Sequence, residues 1–497
     1  MSHCFDGWTM IMGRLLRLLG LLILVPLSCA MRPEQYLAIG DEALTQGDHE
    51  AAIENYSNGI QALTDDESLL ILLSLHTNLA TAFSSSGMDQ RAAAAYEQGL
   101  AAYQSQIGEV VDADFRRDAT DIAAQAAFFL GMVYQDLDQS RDAVDAYTYA
   151  HALDPLQWAA MANLGAVYQD ELVRTREALE AYQTAFAILT GSEEPTDPPP
   201  EPRYILSQLQ YRIGLCLIHD ATQKCQTSEG KPVDCNTQAA HAFDLATQYD
   251  PDHEAAKHML ATVTADATIE RASNRYIQSL FDDYATNFEH SLVEELGYTG
   301  FERLRRGFDR ALPTATMFDK VVDAGCGTGL VGEQFRNVSG YLIGVDLSEA
   351  ILEEAVKARP ALYNRVVVDD VTEVFRREKP IDLIVAADSY IYFGDLDPLF
   401  EAMSEGLRSG GYAAFTLENV AIDTEEALEE SKPDWRWQLT ASGRFAHRKG
   451  YVEATGGAHR MKVIHYEMLD SFRYERGVGV RGHLFVMQKL PRNDQEL

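Results

Sequence analysis

The sequence predicts an α plus α/β protein, in which an all-helical repeat array precedes a domain built on a mostly parallel sheet. The first observation is length, since 497 residues exceed what one hydrophobic core normally serves. The second is a pattern of small and aromatic residues that recurs before residue 263 at the spacing of paired helices. The third is the alternation of helical stretches with short apolar runs after residue 276, which indicates parallel strands joined by crossover helices.

Residues 1–30 have the composition of a secretory signal peptide. Arg14 and Arg17 precede an apolar run, and Ser28 and Ala30 form a small-x-small cleavage site. The run is shorter than the roughly 20 residues that a membrane-spanning helix needs, although an uncleaved membrane anchor stays open. We expect the chain to enter the secretory pathway lumen or to be secreted, with organelle targeting or N-terminal membrane anchoring as the alternative. No transmembrane segment is expected beyond this one.

Residues 32–263 carry five copies of one pattern. In each copy, Leu or Ile followed by Gly or Ala comes before an Ala-x-x-x-aromatic motif, as in Gly131 with Tyr147 and Gly165 with Tyr182. Small residues let two helices cross closely, and the aromatic rings fill the space between them. These motifs resemble the tetratricopeptide repeat (TPR) family, which implies an all-α solenoid of helical hairpins.

An insert at 219–238 interrupts the last copy, and a linker is expected at 264–275. The insert contains Cys225 and ends near Cys235. The two cysteines could close a small disulfide loop in an oxidising lumen, or they could be free thiols, because connectivity cannot be deduced from sequence.

The chain is strongly acidic, with a formal net charge of −35, and most of the excess acid lies in the repeat array. Such a field repels polyphosphate, so we expect no nucleic-acid partner. The TPR resemblance implies a concave groove for a protein or peptide, and the acidity favours a basic partner. A purely solvated acidic face is the alternative.

Residues 276–497 contain seven apolar runs of strand length, with helical stretches between them. The runs lie at 320–323, 341–346, 365–369, 381–387, 411–418, 462–469 and 482–489. Seven such strands fit one doubly wound, Rossmann-like sheet, in which ligands bind at the carboxyl ends of the strands.

Acidic residues follow three of these strands, and a glycine-rich turn follows the first. Glycines let the backbone turn tightly and approach a ligand closely. Asp346 ends the second strand, where a carboxylate can accept both hydroxyls of a ribose. Asp369 and Asp370 follow the third strand, where they could meet a purine amino group.

The glycine spacing alone does not identify the ligand. The spacing Gly327-x-Gly329-x-x-Gly332 also satisfies the dinucleotide pattern, so NAD remains an alternative on this evidence. Asp323, however, precedes the loop and would repel a pyrophosphate, whereas it could hold the α-amino group of S-adenosylmethionine.

The Asp-x-Gly-x-Gly-x-Gly motif resembles the first motif of the class I S-adenosylmethionine-dependent methyltransferases. The segment from Ile381 through Asp388 looks like the fourth motif of that family, and residues 276–288 are similar to its aromatic lid. After the leader, the chain resembles the predicted methyltransferases that carry N-terminal TPR repeats. The resemblance implies a seven-stranded class I methyltransferase domain, S-adenosyl-L-methionine as cofactor, and these binding residues: Asp323, Gly325, Cys326, Gly327, Gly329, Asp346, Leu347, Asp369, Asp370, Val371, Asp388 and Tyr284.

Few catalytic side chains are expected, because a sulfonium is a good leaving group. His447 is the candidate proton acceptor and Tyr392 a second catalytic candidate. His447 could instead belong to a solvated basic turn, and a tyrosine beside a cofactor is often only packing. The histidines and cysteines lack the spacing of a metal site, so no metal is expected.

Two classes of function follow. The first is a methyltransferase that acts on a small molecule or a protein, with the acceptor recruited or oriented by the repeats. The second is a TPR adaptor whose methyltransferase domain binds cofactor but does not turn over.

Overall fold

The chain divides after Ile188 into two compact units, which are described separately. In a computed structural model the leader and most of the 219–238 insert, including Cys225, lie outside the described residues. The signal peptide and the disulfide therefore stay predictions, as does the linker boundary at 264–275. The described residues are 31–63, 68–191, 203–219, 234–264, 268–285, 288–290, 292–293, 297–314, 317–475 and 477–491.

The first unit is all-α, and its consecutive helices pack as hairpins, α1 on α2, α3 on α4 and α5 on α6. A π-helical turn, Val167–Glu171, extends α7, and α8 continues past the end of the unit. The helices are α1 (Pro33–Thr45), α2 (His49–Gln61), α3 (Leu69–Ser85), α4 (Asp89–Gln106), α5 (Ala113–Asp136), α6 (Ser140–Leu153), α7 (Trp158–Ala166) and α8 (Thr175–Thr190).

In the hairpins α1–α2, α5–α6 and α7–α8, a glycine on the first helix faces an aromatic ring on the second. A Cβ atom added to Gly131 would lie 2.6 Å from the Tyr147 ring, and one added to Gly165 would lie 2.7 Å from the Tyr182 ring. Tyr147 is fully buried. The small-and-aromatic pattern therefore marks close helix crossings, and the predicted repeat architecture is confirmed.

The second unit begins with three more helices, α9 (Arg203–His219), α10 (Cys235–Tyr249) and α11 (Glu254–Thr264). Gly214 of α9 faces Phe243 of α10, and an added Cβ would lie 2.5 Å from that ring. The same glycine–aromatic relation therefore recurs in the fifth copy of the pattern.

The rest of this unit is one sheet of nine strands with helices on its faces. Its main path is β3-β2-β1-β4-β5, all parallel, followed by β9 antiparallel to β5 and β8 antiparallel to β9. The strands are β1 (Phe318–Ala324), β2 (Ser339–Asp346), β3 (Arg365–Val368), β4 (Ile381–Ala386), β5 (Leu407–Glu418), β6 (Trp437–Leu439), β7 (Phe445–His447), β8 (Met461–Glu475) and β9 (Val478–Lys489).

All seven predicted strands are present, and the predicted fold class is confirmed. The sequence analysis missed β6 and β7, which are short and form a hairpin joined to β5 through Glu418 and Ala446. The helices of this part are α12 (Asn274–Tyr284), α13 (Phe288–His290), α14 (Gly300–Ala311), α15 (Leu330–Phe335), α16 (Glu349–Ala358), α17 (Val371–Arg377), α18 (Asp397–Gly406), α19 (Ile422–Ser431) and α20 (Lys449–Ala458).

The described residues lack a membrane-spanning helix and a cluster of metal-ligating side chains. In that part of the chain, no helix combines the length and the apolar character that crossing a membrane requires. The same residues contain no group of three or more His, Cys, Asp or Glu side chains placed to hold a metal ion.

Replacing Gly131 by alanine should destabilise the first unit, because the added methyl group must displace the buried Tyr147 ring. Overpacking of this kind costs about 1–3 kcal/mol. The free energy of unfolding, measured by urea denaturation and circular dichroism, should fall by that amount. Gly108→Ala is the matched control, since nothing lies within 4 Å of a Cβ atom added there. Equal effects of the two substitutions would contradict the packing described here.

Candidate functional site

The glycine-rich loop after β1 has a backbone that only glycine adopts without strain. Gly325, Gly327 and Gly329 have φ angles of +68°, +50° and +101°. A Cβ atom on Gly325 would lie 2.1 Å from Oγ of Ser389. The amides of Gly325 and Cys326 donate to the carbonyl of Val345 at 2.8 and 2.9 Å, which ties the loop to the end of β2.

Asp346, the last residue of β2, lies against this loop. Its Oδ2 accepts from the Gly327 amide at 3.0 Å, and its Oδ1 accepts from the Ser348 amide at 3.2 Å. The carboxyl group is buried, and burial raises its pKa while the backbone hydrogen bonds oppose that rise. Each carboxylate oxygen can accept more than one hydrogen bond, so Asp346 can still receive ligand hydroxyls.

Asp323 lies in the core at the end of β1 and does not line the cavity described below. Its Oδ2 accepts from the Tyr363 hydroxyl at 2.7 Å, whereas its Oδ1 has no partner among the described residues. Burial raises the pKa of this carboxyl to about 7. An unpartnered buried oxygen is costly, and a donor from a bound ligand would remove that cost.

Asp369 and Asp370 have partners within the chain. Asp370 begins α17, where its Oδ1 accepts from the Thr372 amide at 2.9 Å. Its Oδ2 accepts from Asn274 at 3.0 Å and from Arg271. Asp369 forms an ion pair with Arg377 at 2.7 Å. The structure therefore uses these carboxylates to fix the chain, and it places the neighbouring Val371 in the cavity wall instead.

A cavity lies over the glycine loop and the carboxyl ends of β2 and β4. It brings together eight of the predicted site residues: Gly325, Cys326, Gly327, Asp346, Leu347, Val371, Asp388 and Tyr392. The cavity lining does not include Asp323, Gly329, Asp369, Asp370 or His447. The side chain of Tyr284 is outside the described ones, so its predicted role stays a prediction.

His447 is on β7, buried among protein groups. Its Nε2 forms a hydrogen bond with the Gly394 carbonyl at 3.2 Å, and its ring is nearly parallel to that of Tyr451. Burial lowers the pKa of the imidazole to about 3. His447 is therefore a buried, neutral side chain outside the cavity lining, and its catalytic role stays a prediction.

Tyr392, in contrast, lines the cavity. Its ring meets the ring of Phe281 edge to face, with centroids 5.9 Å apart. Burial raises the pKa of its hydroxyl, while a hydrogen bond with Arg444 opposes that rise. The phenol is thus protonated near neutral pH, and it contributes shape and a hydrogen bond to the cavity.

Arg271, within the predicted linker, was missed as a site residue. Its guanidinium lies 4.2 Å above the Phe393 ring and pairs with Asp370. The next residue, Ala272, donates its amide to the Tyr392 carbonyl at 2.9 Å. The linker is thus part of the cavity wall, and Ile277 and Phe281 of α12 continue that wall.

A buried ionic cluster forms the far side of the cavity, and the sequence analysis did not predict it. Arg473 of β8 has a fully buried side chain and donates to both oxygens of Asp388 at 2.6 Å. It also pairs with Glu418 and Glu475. Arg444, in the turn between β6 and β7, pairs with Glu475 and lines the cavity. No local motif indicates these pairs, because their members come from distant segments.

The residues present fit S-adenosylmethionine. The loop offers closely approachable backbone, and Asp346 offers acceptors for ribose hydroxyls. Asp323 lies outside the cavity lining, so its predicted contact with an amino group stays a prediction. A pyrophosphate would meet two buried carboxyl groups here, which disfavours a dinucleotide.

Comparisons with known proteins point the same way. Residues 321–411 match the family model described as a methyltransferase domain. The malonyl-[acyl-carrier protein] O-methyltransferase of Enterobacter lignolyticus is 26% identical over 173 residues, which are 33% of this chain and 66% of that protein. The trans-aconitate 2-methyltransferase of Rhizobium rhizogenes is 28% identical over 127 residues, 24% of this chain and 48% of that protein. The chain thus spans about two thirds and about half of these curated relatives.

A solved structure also aligns with part of this chain. The crystal structure of the MamA protein aligns with 48% of this chain and 97% of its own length, at 21% identity and a TM-score of 0.31.

Asp323→Asn should stabilise the chain without cofactor increasingly as pH rises from 4 to 7. The folded-state pKa of Asp323 is raised, so the stability linked to its protonated form is present at low pH and is lost as pH rises towards 7. Asparagine is neutral at every pH in this range. The difference in the free energy of unfolding between the variant and the wild type should therefore reach about 3–4 kcal/mol. Urea unfolding at several pH values measures it. The exposed Asp319→Asn on the same strand is the control, and an identical trend there would refute the burial effect.

Proposed function

We propose that the chain is an active methyltransferase that uses S-adenosylmethionine, a proposal supported by the match of residues 321–411 to the methyltransferase-domain model. The observation that supports this most strongly is the placement of the left-handed glycine loop and Asp346 together in the cavity wall at the ends of β1 and β2. When bound, the cofactor supplies a methyl group on a sulfonium, so the chain needs mainly to align and desolvate an acceptor.

The chain's own residues meet those needs in different parts of the cavity. Asp346 and the glycine loop would hold the ribose end of the cofactor. Phe281 and Tyr392 close the cavity with an edge-to-face pair that excludes water. Asp388, whose backbone is left-handed (φ +58°), lines the cavity and pairs with Arg473.

We further propose that the repeats bind a protein or peptide that carries or delivers the acceptor. Support comes from the stacked helical hairpins and from the acidic excess of the repeat array. The two curated relatives are named for a malonyl group on an acyl carrier protein and for trans-aconitate, so both a protein-bound and a small acceptor are compatible with the proposal.

Asp346→Ala should weaken S-adenosylmethionine binding at least tenfold, because two acceptor positions are lost. Isothermal titration into the mature chain measures this. Asp369→Ala is the matched control: it also follows a strand end, but its carboxylate pairs with Arg377 outside the cavity, so affinity should change less than twofold.

These titrations also separate the two classes of function. Binding together with S-adenosylhomocysteine formation on addition of acceptor would establish the enzyme. Binding without turnover over a broad acceptor screen would favour the TPR adaptor, and no binding by a folded chain would refute both the cofactor site and the enzyme.

A peptide-binding role of the repeats predicts charge selectivity. A lysine-rich peptide should bind the chain more tightly than a glutamate-rich peptide of equal length, and the difference should shrink as salt rises from 50 to 500 mM, because screening weakens the attraction. Fluorescence anisotropy with labelled peptides measures both affinities. Equal affinities at low salt would contradict an acidic binding groove.

A further inference from the structure

We propose that Arg271 recognises the adenine base of the cofactor, by donating a hydrogen bond from its guanidinium to N1 or N7 of the ring. These two nitrogens flank the exocyclic amino group of the base. The inference rests on the function proposed above, since it concerns the same cavity and requires S-adenosylmethionine or its product to bind there.

The first argument concerns where the base lies. β2, which ends in Asp346, stands between β1 and β3 in the sheet. From Asp346 the cavity continues past the glycine loop to the end of β4, and on that side the methionine part of the cofactor and an acceptor find room. The base, on the other side of the ribose, is then directed towards β3. There Leu347 and Val371 supply apolar cavity wall, which suits a flat ring.

The second argument is that the carboxylate next to Val371 is already in use. Oδ1 of Asp370 accepts from the amide and the hydroxyl of Thr372 at 2.9 and 2.7 Å. Its Oδ2 accepts from Asn274 at 3.0 Å and from Arg271. Each carboxylate oxygen has about two lone pairs, so these donors fill the group. Recognition of the base at this edge therefore calls for a donor from the chain to a ring nitrogen.

The third argument is a donor of Arg271 that lacks a partner. Its Nη2 contacts Asn274 at 2.9 Å and Asp370, whereas its buried Nε has no hydrogen-bond partner among the described residues. Arg271 lines the cavity, and the Phe393 ring covers one face of its guanidinium, which leaves the edge and the other face to a ligand. A buried N–H without an acceptor is costly, and a ring nitrogen would remove that cost. Because the donor is charged, the resulting hydrogen bond is stronger than one between neutral groups.

The fourth argument is that the chain holds Arg271 in place before a ligand arrives. Its backbone forms an antiparallel bridge with Phe393, and Asp370 holds the guanidinium. The helix that precedes this segment, α11, is also attached to the sheet, because Nε2 of His258 donates to the Gly443 carbonyl at 2.7 Å in the turn between β6 and β7. A donor fixed in this way loses little freedom when it binds a ligand.

The competing expectation is that Asp370 accepts from the amino group of the base, as its position after β3 predicted. The two expectations differ in the atom of the base that matters. Removal of the amino group weakens binding if Asp370 makes the contact. Replacement of a ring nitrogen by CH weakens binding if Arg271 makes it.

S-Adenosylhomocysteine and four analogues form a matched set of probes. The 1-deaza, 7-deaza and 3-deaza analogues each replace one ring nitrogen by CH, and the fourth analogue lacks the 6-amino group. Each is titrated into the full chain, and binding is followed by calorimetry. We expect the 1-deaza or the 7-deaza analogue to bind at least tenfold more weakly than S-adenosylhomocysteine, because a charge-assisted hydrogen bond is lost. The 3-deaza analogue and the analogue without the amino group should bind within threefold.

Variants then test the assigned residue. Arg271→Met removes every donor, and Arg271→Lys keeps the charge opposite Asp370, which protects the fold, but lacks the planar guanidinium. In both variants the difference between S-adenosylhomocysteine and the affected deaza analogue should fall below threefold. Arg275→Met is the matched control, because Arg275 is exposed on α12 and outside the cavity lining, and it should leave the difference unchanged.

Two results would overturn the proposal. The first is a wild-type chain that binds S-adenosylhomocysteine, the 1-deaza and the 7-deaza analogue alike, and a tenfold loss on removal of the amino group would then assign the base to Asp370. The second is a ring-nitrogen difference that persists in either folded Arg271 variant, since another donor would then be responsible for it.

The affinity for S-adenosylhomocysteine itself separates the two levels of inference. If the folded wild-type chain binds it and neither N1 nor N7 matters, the assignment of Arg271 is wrong and the proposed function stands. If the folded wild-type chain does not bind it, the proposed function fails and the assignment of Arg271 fails with it.

Discussion

The cavity depends on one buried guanidinium, that of Arg473. It joins the end of β8 to Asp388 after β4 and to Glu418 at the end of β5. Each ion lost water when it was buried, and removal of one partner from such a cluster typically costs about 3–5 kcal/mol. Such a buried ion cluster is weak evidence for a gain in stability. It does fix the positions of Asp388 and Glu418 relative to β8. Asp388 itself has a left-handed backbone conformation, which non-glycine residues rarely adopt.

The fold and the cofactor end of the site could be predicted because the residues that indicate them lie close together in the sequence. Seven apolar runs predicted seven strands, and the glycines of the loop marked backbone angles that other residues avoid. Gly131 and Tyr147 similarly predicted a close helix crossing. In each case the residue type itself carries the constraint, so a single sequence is sufficient to find it.

The rest of the cavity and its surroundings could not be predicted, because their geometry depends on partners far apart in the chain. Asp370 matched the expected position for a purine contact, yet Arg271 and Asn274 occupy its carboxylate. His447 had the right chemistry for a base by its ordinary pKa, yet its strand buries it. Arg444 looked like one member of a basic turn, and only the β6–β7 hairpin and Glu475 distinguish it. Sequence spacing contains no information on such long-range contacts.

The hydrogen bond from His258 to Gly443, together with the strand-like bridge between Arg271 and Phe393, bears on how such a chain could be recombined in evolution. A recombination junction at residue 276, where the α/β pattern begins, would separate the sheet from the preceding segment. That segment, which contains Arg271, completes the wall of the cavity. Exchange of the helical part as a module would thus leave the new protein with an incomplete cavity. A recombination event that keeps the cavity intact would have to transfer α11 and the following segment together with the sheet. The segment that must be inherited as one piece therefore begins before the sequence motifs of the domain.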